Sequence, residues 1–207
     1  PFGVDVLVER ARIGVGALVE SKILRLGHLG VHLGLKCRDL LVGHRALLDD
    51  EFREEGDRVA VVMQAQWDGA DAIYSSPFRR AYETVAPLAQ QIKMNVRLTN
   101  ELCERCLAGG PVADFMEAVA ETWRNPEFAH PHGETNAAAQ RRGIGLLARL
   151  RARYPDGRLI LSTHGNLLAL ILQHFDSSVD FEFWCRLTMP DIYRLTLKGS
   201  DVEIERL

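Results

Sequence analysis

A histidine stands between two apolar runs in the segment LILSTHGNLLALIL, residues 159–172. The pattern predicts a buried strand that ends near Thr163 and a helix that begins at Asn166. The first backbone N–H groups of such a helix lack partners within it and favour an anion. His164 would then lie beside the anion as a hydrogen-bond donor or acid, and Gly165 would let the anion approach the backbone. The alternative is a turn histidine that is bonded to a neighbouring carbonyl.

Two arginines follow the end of another predicted strand. In YSSPFRRAYET, residues 74–84, Arg79 and Arg80 fall in the first turn of a predicted helix. A positive charge there opposes the helix dipole. An arginine in so unfavourable a position indicates that it holds an anion such as phosphate, which the guanidinium fork fits. The alternative is a solvated surface arginine, a common situation for this residue type.

A third junction, ELCERC at residues 101–106, offers carboxyl groups. Glu101 or Glu104 could pass a proton to a leaving oxygen if phosphate is bound nearby; otherwise both are exposed loop residues. Cys103 and Cys106 form a single C-x-x-C pair. No second pair follows it, and no histidine follows at zinc-finger spacing, so we expect neither a metal site nor a redox site here.

Alternating helices and strands must position these junctions. From residue 49 the pattern predicts helices at 49–67, 77–92, 112–123, 137–154 and 166–175, and strands at 71–76, 96–98, 158–163, 191–197 and 202–207. This order predicts an α/β fold, and we expect a three-layer sandwich with a largely parallel central sheet and helices on both faces. Ligands of such sheets bind beyond the carboxyl ends of the strands. Before residue 49 the only candidate strands are 4–8 and 39–42.

The bulk composition is that of an ordinary globular protein. The chain has 207 residues, of which 47% are hydrophobic and 26% charged, so we expect a single domain, 1–207, and exclude global disorder. The net charge of −3 disfavours a nucleic-acid partner, and no apolar run approaches the span of a bilayer. Four scattered cysteines favour a reducing compartment, so we predict a cytoplasmic protein. His130 and His132 lack a clustered third ligand, and we expect no metal and no cofactor. The composition leaves the oligomeric state open.

Together the segments resemble the histidine phosphatase superfamily, the phosphoglycerate-mutase-like enzymes, in its bacterial phosphatase branch. YSSPFRRAYETVAPLA is similar to the family's SSPxxRAxxTA segment, and LCER to its LxE acid segment. HGETNAAAQRRGIGLLARL resembles its GE[ST] stretch and the helix that follows, and LILSTHGN resembles its second histidine motif. The resemblance covers residues 49–197, whereas residues 1–48 are atypical.

The resemblance implies a two-histidine mechanism. One histidine attacks phosphorus, a second histidine and two arginines hold the phosphoryl group, and an acid passes the proton. Matched residue by residue, His164 is the second histidine, Arg80 is the helix arginine and Glu104 is the acid. The backbone N–H groups of Gly165 and Asn166 are then expected to face phosphate.

The attacking histidine of the family lies in an RHG-type motif after the first strand, and this chain contains neither RHG nor RHA. The nearest text, LLVGHRA at 40–46, makes His44 a weak candidate nucleophile, with His28 in LRLGHLG as the runner-up.

Four functions remain open at this stage. The first is a phosphohistidine-dependent phosphatase that hydrolyses a small phosphorylated metabolite. The second is a catalytically impaired member that binds phosphoesters without the nucleophile. The third is phosphoryl transfer of the phosphoglycerate-mutase type, which requires a pocket that excludes water. The last is an α/β interaction module whose motifs are remnants. The loop RNPEFAHPHGETN, residues 124–136, is expected to shape a pocket for a small phosphorylated substrate.

Overall fold

A computed structural model of the chain describes residues 2–9, 60, 69–188 and 190–207. Strands in these ranges are β1 (Phe2–Glu9), β2 (Ala72–Ser75), β3 (Val96–Leu98), β4 (Arg158–His164), β5 (Asp191–Lys198) and β6 (Asp201–Arg206). Helices are α1 (Arg79–Gln91), α2 (Phe115–Arg124), α3 (Asn136–Arg153), α4 (Gly165–Phe175) and α5 (Phe181–Arg186), with a 3-10 turn at Asn100–Leu102.

The strands form one mostly parallel sheet in the order β3-β2-β4-β1-β5-β6. Strands β3, β2, β4 and β1 run parallel, and the β5–β6 hairpin adds two antiparallel strands at one side. The predicted α/β class with a central sheet and helices is therefore confirmed. Since the four parallel strands point the same way, their carboxyl ends meet at one edge of the sheet.

The weak pattern at residues 4–8 does correspond to a strand, and that strand is central. β1 lies between β4 and β5, and its register pairs Val4 with Leu159 and Glu9 with His164. The atypical first part of the chain therefore supplies a core strand of the sheet. The other early candidate, 39–42, and most of the helix predicted at 49–67 lie outside the described residues; Ala60, within that helix, is helical and buried.

Alternate side chains of the inner strands enter two separate apolar clusters. Leu159 and Leu161 of β4 pack in a large cluster that includes buried residues of α3 and α4, whereas Ile160 packs in a smaller one with Val85 and Leu88 of α1. Successive strand residues point to opposite faces of a sheet, so the two clusters cover its two faces. A strand that is buried on both faces is apolar without alternation, which explains the continuous run Leu159–Leu161.

Predicted boundaries agree with the structure within about three residues. The loop KGSD does join the predicted hairpin, and Gly199 takes a φ of 63°, which suits a glycine. Pro77 directly precedes Phe78, the residue before the first turn of α1. Pro87 lies inside α1, which continues through it as one element of 13 residues. A proline inside a helix removes one N–H donor and crowds the carbonyl four residues earlier, and burial of Val85, Leu88 and Ala89 offsets this cost.

An ion pair crosses from β1 to the antiparallel strand beside it. Asp5 is 4% exposed and lies directly opposite Arg194, whose Nε donates to Asp5 Oδ1 at 2.9 Å. Burial raises the pKa of Asp5, and the hydrogen bond and charge of Arg194 oppose that rise. The guanidinium therefore reduces the free-energy cost of burying this carboxylate in the centre of the sheet.

We expect Arg194→Leu to destabilise the fold by roughly 3 kcal/mol at pH 7, because it leaves Asp5 buried without its cation. The deficit should shrink as the pH falls towards 4, since the carboxyl can then take up a proton. Urea unfolding at the two pH values measures both effects. The double variant Asp5→Leu/Arg194→Leu is the control and should recover most of the loss. An Arg194→Leu deficit that does not change with pH would contradict this assignment.

Candidate functional site

His164 is the last residue of β4 and the residue before the first turn of α4. Its side chain is fully buried, and its Nε2 lies 2.9 Å from Ser76 Oγ, just beyond the end of β2. Its Nδ1 is also buried and has no hydrogen-bond partner among the described residues. The turn-histidine alternative, in which a neighbouring carbonyl holds the ring, does not describe this contact. His164 therefore keeps one buried ring nitrogen that no described residue satisfies.

The two residues before His164 fix neighbouring elements at the same edge. Ser162 Oγ donates to the carbonyl of Ala81 in α1 at 2.6 Å. Thr163 Oγ1 donates to the carbonyl of Leu102 at 2.8 Å, on the 3-10 turn. Both side chains are fully buried, so these hydrogen bonds are shielded from water. The first turn of α1 and the segment before Glu104 are thus both fastened to the end of β4.

Ser76 contacts His164, the backbone of Phe78 and the sulfur of Cys103, and these contacts restrict the orientation of the histidine ring. Its Oγ accepts from the backbone N–H of Phe78 at 3.2 Å and lies 3.9 Å from Cys103 Sγ. If the hydroxyl donates to that sulfur, it accepts from Nε2–H of His164, and Nδ1 carries a lone pair. If it donates to Nε2 instead, Nδ1 carries the proton. In both arrangements Ser76 fixes the ring and sets which chemistry Nδ1 can offer.

Arg80 reaches the same place from the first turn of α1. Its guanidinium lies 4.9 Å from the centre of the Phe78 ring, and that ring meets the His164 ring edge-on at 5.3 Å. The buried Nε of Arg80 has no hydrogen-bond partner among the described residues. Arg79 differs, because it pairs with Glu83 on the exposed side of the helix at 2.6 Å. Of the two candidate arginines, only Arg80 brings its charge to His164.

The charge of Arg80 affects the histidine directly. Burial lowers the pKa of His164 well below its ordinary value, and the positive charges of Arg80 and Arg142 lower that pKa further. The imidazole is therefore neutral at neutral pH in the ligand-free protein. A bound anion would screen Arg80 and make a protonated His164 less unfavourable.

Glu104 also reaches this edge, but its carboxylate lies on the start of α4. Its Oε2 accepts from the N–H of Asn166 at 3.1 Å. Its Oε1 accepts from the N–H groups of Leu167 at 3.1 Å and Arg105 at 2.8 Å. A carboxylate at a helix N-terminus satisfies unpaired N–H groups and complements the dipole. Glu104 is therefore the anion that occupies part of the site predicted for phosphate.

This contact corrects the expectation for Asn166. Its backbone N–H was expected to face phosphate, but it donates to Glu104. Its buried side chain accepts from Trp123 Nε1 at 3.1 Å and donates to Asn136 Oδ1 at 3.4 Å, which joins α4 to α2 and α3. Gly165, one residue nearer to His164, stays a candidate for backbone contact with an anion. The sequence could not show that a carboxylate 62 residues away competes for the same donors.

The loop that carries Glu104 is held by an arginine that sequence reasoning missed. Arg142 of α3 donates to the carbonyls of Glu101 and Cys103 at 2.6 and 3.0 Å. It also forms a two-pronged pair with Glu134, at 3.0 and 2.8 Å. Arg142 thus fixes the backbone directly before Glu104. The only available signal was the helical continuation of HGETNAAAQRR, which does not identify a partner.

The remaining candidates make other contacts or lie outside the described residues. Glu101 pairs with the exposed Arg149 at 2.5 Å, and His130 Nε2 lies 3.0 Å from the carbonyl of Ala118 in α2. Cys103 is a free thiol, and Cys106 Sγ lies 3.4 Å from the carbonyl of Ala108. His44 and His28 lie outside the described residues. Within the described ranges, no three potential metal ligands of the His, Cys, Asp or Glu type come together, and no helix is long and apolar enough to cross a membrane.

The buried neutral state of His164 predicts acid sensitivity. A histidine whose folded pKa is lowered stabilises the fold above its unfolded pKa of about 6.5, and this stability is lost as the pH falls below that value. The loss should approach 1.4 kcal/mol per pH unit, the linkage of one proton. Urea unfolding of the ligand-free protein between pH 7.5 and 5 should show a shallower pH slope in His164→Gln. The exposed His174→Gln serves as the control and should keep the wild-type slope; an equal slope in His164→Gln would refute the prediction.

The position of Glu104 predicts a structural contribution besides any chemistry. Glu104→Gln keeps one carbonyl acceptor but removes the charge from the helix N-terminus, so we expect a loss of roughly 1–2 kcal/mol. Glu101→Gln, three residues earlier in an exposed ion pair, should change stability by less than about 0.5 kcal/mol. Thermal unfolding at pH 7 compares the two variants. Equal stability of both would show that the helix contact contributes nothing.

The sequence matches a known protein family. The family model of the histidine phosphatase superfamily (branch 1) matches residues 47–207. Phosphoserine phosphatase 1 of Hydrogenobacter thermophilus is 26% identical over 132 residues, which span 58% of this chain and 62% of that protein. The match thus covers less than two thirds of that relative's length.

Solved structures show the same fold. The mycobacterial glucosyl-3-phosphoglycerate phosphatase superposes with a TM-score of 0.57 at 25% identity, over 75% of this chain and 83% of the other. Bacillus stearothermophilus YhfR gives a TM-score of 0.67 at 15% identity, over 100% of this chain and 96% of the other. Because the family model covers most of the chain, including β2, β4 and every site residue described above, the chain belongs to the histidine phosphatase superfamily.

Proposed function

We propose that this protein binds small phosphate monoesters at the carboxyl edge of its sheet and hydrolyses them through a phosphohistidine. One observation carries the proposal. His164 Nδ1 and Arg80 Nε are buried nitrogens without hydrogen-bond partners in the described part of the chain. Two such groups beside one aromatic ring form a site of positive potential that a phosphoryl group would satisfy. Phosphoryl transfer depends on such positioning and charge more than on other covalent chemistry.

In this proposal each side chain has one task. Arg80 binds the oxygens of the phosphoryl group through its guanidinium. His164, oriented by Ser76, holds another oxygen and takes up positive charge as the anion screens Arg80. Glu104 is the proton carrier. Its Oε1 already accepts from two N–H groups, so the second lone pair of Oε2 is the place where it can receive a proton. His44 is the candidate nucleophile, with His28 as the runner-up.

One observation favours binding without turnover as the second candidate function. The family resemblance implies an attacking histidine directly after the first strand. In this chain β1 ends at Glu9, and Arg10, Ala11 and Arg12 follow; the next histidine in the sequence is His28. If neither His28 nor His44 reaches the phosphoryl group, the site would hold a phosphoester and leave it intact. A mutase additionally needs water excluded from the phosphoenzyme, and no contact of the described residues favours this.

The two functions separate in one set of assays. Turnover of p-nitrophenyl phosphate between pH 5 and 7 tests hydrolysis, and the melting temperature with added phosphate or vanadate tests binding. We expect turnover that His164→Ala abolishes and that Arg80→Leu lowers by at least about 100-fold, the loss of one charged contact to the transition state. His174→Ala, at an exposed position of α4, is the matched control and should retain activity.

Variants of the candidate nucleophiles complete the test. Loss of turnover in His44→Ala with retained phosphate binding would assign it as the nucleophile, and the same result in His28→Ala would assign that residue instead. A wild-type protein that is inactive but stabilised by phosphate or vanadate is a binding protein. Turnover that survives His164→Ala would overturn the site itself.

A further inference from the structure

Phe78 places an aromatic ring against both groups that carry the proposed phosphate site. The guanidinium carbon of Arg80 lies over the face of this ring, 4.9 Å from its centre. The ring of His164 meets it edge-on, with the two ring centres 5.3 Å apart and the planes at 62°. Phe78 is 38% exposed, so burial in the core accounts for only part of its packing. Its contacts with Arg80 and His164 therefore call for a reason of their own.

The backbone holds the Phe78 ring in this place. Phe78 is the extended residue directly before the first turn of α1, and its carbonyl accepts from the N–H of Tyr82 at 3.1 Å. Its own N–H donates to Ser76 Oγ at 3.2 Å. That same oxygen lies 2.9 Å from Nε2 of His164. The aromatic ring and the histidine are thus fastened to one serine.

An aromatic face holds an arginine in a different way from a carboxylate. The negative face of the ring attracts the guanidinium without accepting a conventional hydrogen bond from it. Accordingly, the buried Nε of Arg80 keeps no acceptor among the described residues. Arg142, by contrast, has its guanidinium donors bound by Glu134. A carboxylate at Phe78 would compete with phosphate for Arg80, whereas the ring does not.

We propose that Phe78 is a positioning residue whose ring holds the guanidinium of Arg80 beside His164, ready for the phosphoryl group. A free arginine side chain has many rotamers, and binding a ligand must select one of them at a cost in entropy. The cation–π contact selects the rotamer before the ligand arrives, so more of the binding energy is kept. Phe78 acts through Arg80 and needs no contact with the ligand. This inference rests on the proposed phosphate site and adds a determinant of its affinity.

Changing the electrons of the ring without changing its size tests the proposal. Inorganic phosphate is the probe, and titration calorimetry measures its Kd. We expect Phe78→Leu to raise the Kd by about 10-fold, the factor of a partly desolvated cation–π contact. Phe78→Tyr keeps an electron-rich face and should stay within about 2-fold of the wild type. Trifluorophenylalanine in place of Phe78 keeps the size of the ring but weakens its negative face, so it should raise the Kd nearly as much as leucine does.

Tyr82→Leu is the matched control for these variants. Tyr82 lies one turn later on α1 and is 42% exposed, so its loss removes a similar aromatic surface. This variant should keep the Kd of the wild type. A trifluorophenylalanine variant that binds phosphate as the wild type does would show that only the size of the ring matters, and would overturn the proposal.

Unfolding of the ligand-free protein separates the contact with Arg80 from the contact with His164. Phe78→Leu is made in the wild type and in Arg80→Ala, and urea unfolding gives the free energy of each protein. If the ring holds the guanidinium, Phe78→Leu should destabilise the wild type more than it destabilises Arg80→Ala. An equal loss in both backgrounds would show that the two side chains are not coupled, and would refute the positioning role.

The positioning role and the phosphate site fail in different ways. If the wild type and all Phe78 variants bind phosphate with one Kd, the phosphate site stands and the role of Phe78 is refuted. If leucine, tyrosine and trifluorophenylalanine at this position lower both the melting temperature and phosphate binding alike, Phe78 belongs to the fold and the inference also falls. A wild type that does not bind phosphate removes the proposed function and this inference with it.

Discussion

Three consecutive polar side chains at the end of β4 hold the site together. Ser162, Thr163 and His164 are fully buried at the end of an otherwise apolar strand, where an unpaired polar group is costly. Each finds its partner on a different element: the start of α1, the 3-10 turn, and Ser76 after β2. The need to satisfy these groups therefore fixes the elements that carry Arg80 and Glu104.

Around this strand end, the described residues leave some buried polar groups without hydrogen bonds. Nitrogens of Arg80, Arg105 and His164 lack hydrogen-bond partners there, while the carboxylate of Glu104 is used by the backbone of α4. Buried polar groups without partners lower the stability of the fold. Features that lower the stability of a fold are expected at the sites where a protein binds a ligand or catalyses a reaction. Burial is the main reason that the pKa of His164 is low and its ring is neutral without ligand, and the positive charges of Arg80 and Arg142 add to this effect.

Sequence patterns identified the groups that lie directly after strands. His164 ends β4, and Arg80 lies in the helix that follows β2. The rule that ligands bind at the carboxyl ends of parallel strands was therefore sufficient to select both as candidates. Most elements were also predictable, because apolar periodicity and turn residues report local structure. The rule failed for Asn166, whose backbone N–H binds a carboxylate from a distant loop. It also missed Arg142, since this residue does not occupy a position that a strand or helix pattern distinguishes.

The sequence by itself determined the strand and helix order, the α/β class and the residue types available for phosphate chemistry, because these depend on local spacing and side-chain properties. Only the tertiary structure decided that residues 2–9 form a central strand, since pairing with β4 and β5 stabilises a segment whose own pattern is weak. It also decided which charged groups are compensated. Arg142 finds Glu134, and Arg194 finds Asp5, whereas two nitrogens of Arg105 find no acceptor in the described ranges. Whether a charged side chain finds an oppositely charged partner depends on burial and on contacts between segments far apart in the chain. Neither can be predicted from the spacing of residues in the sequence.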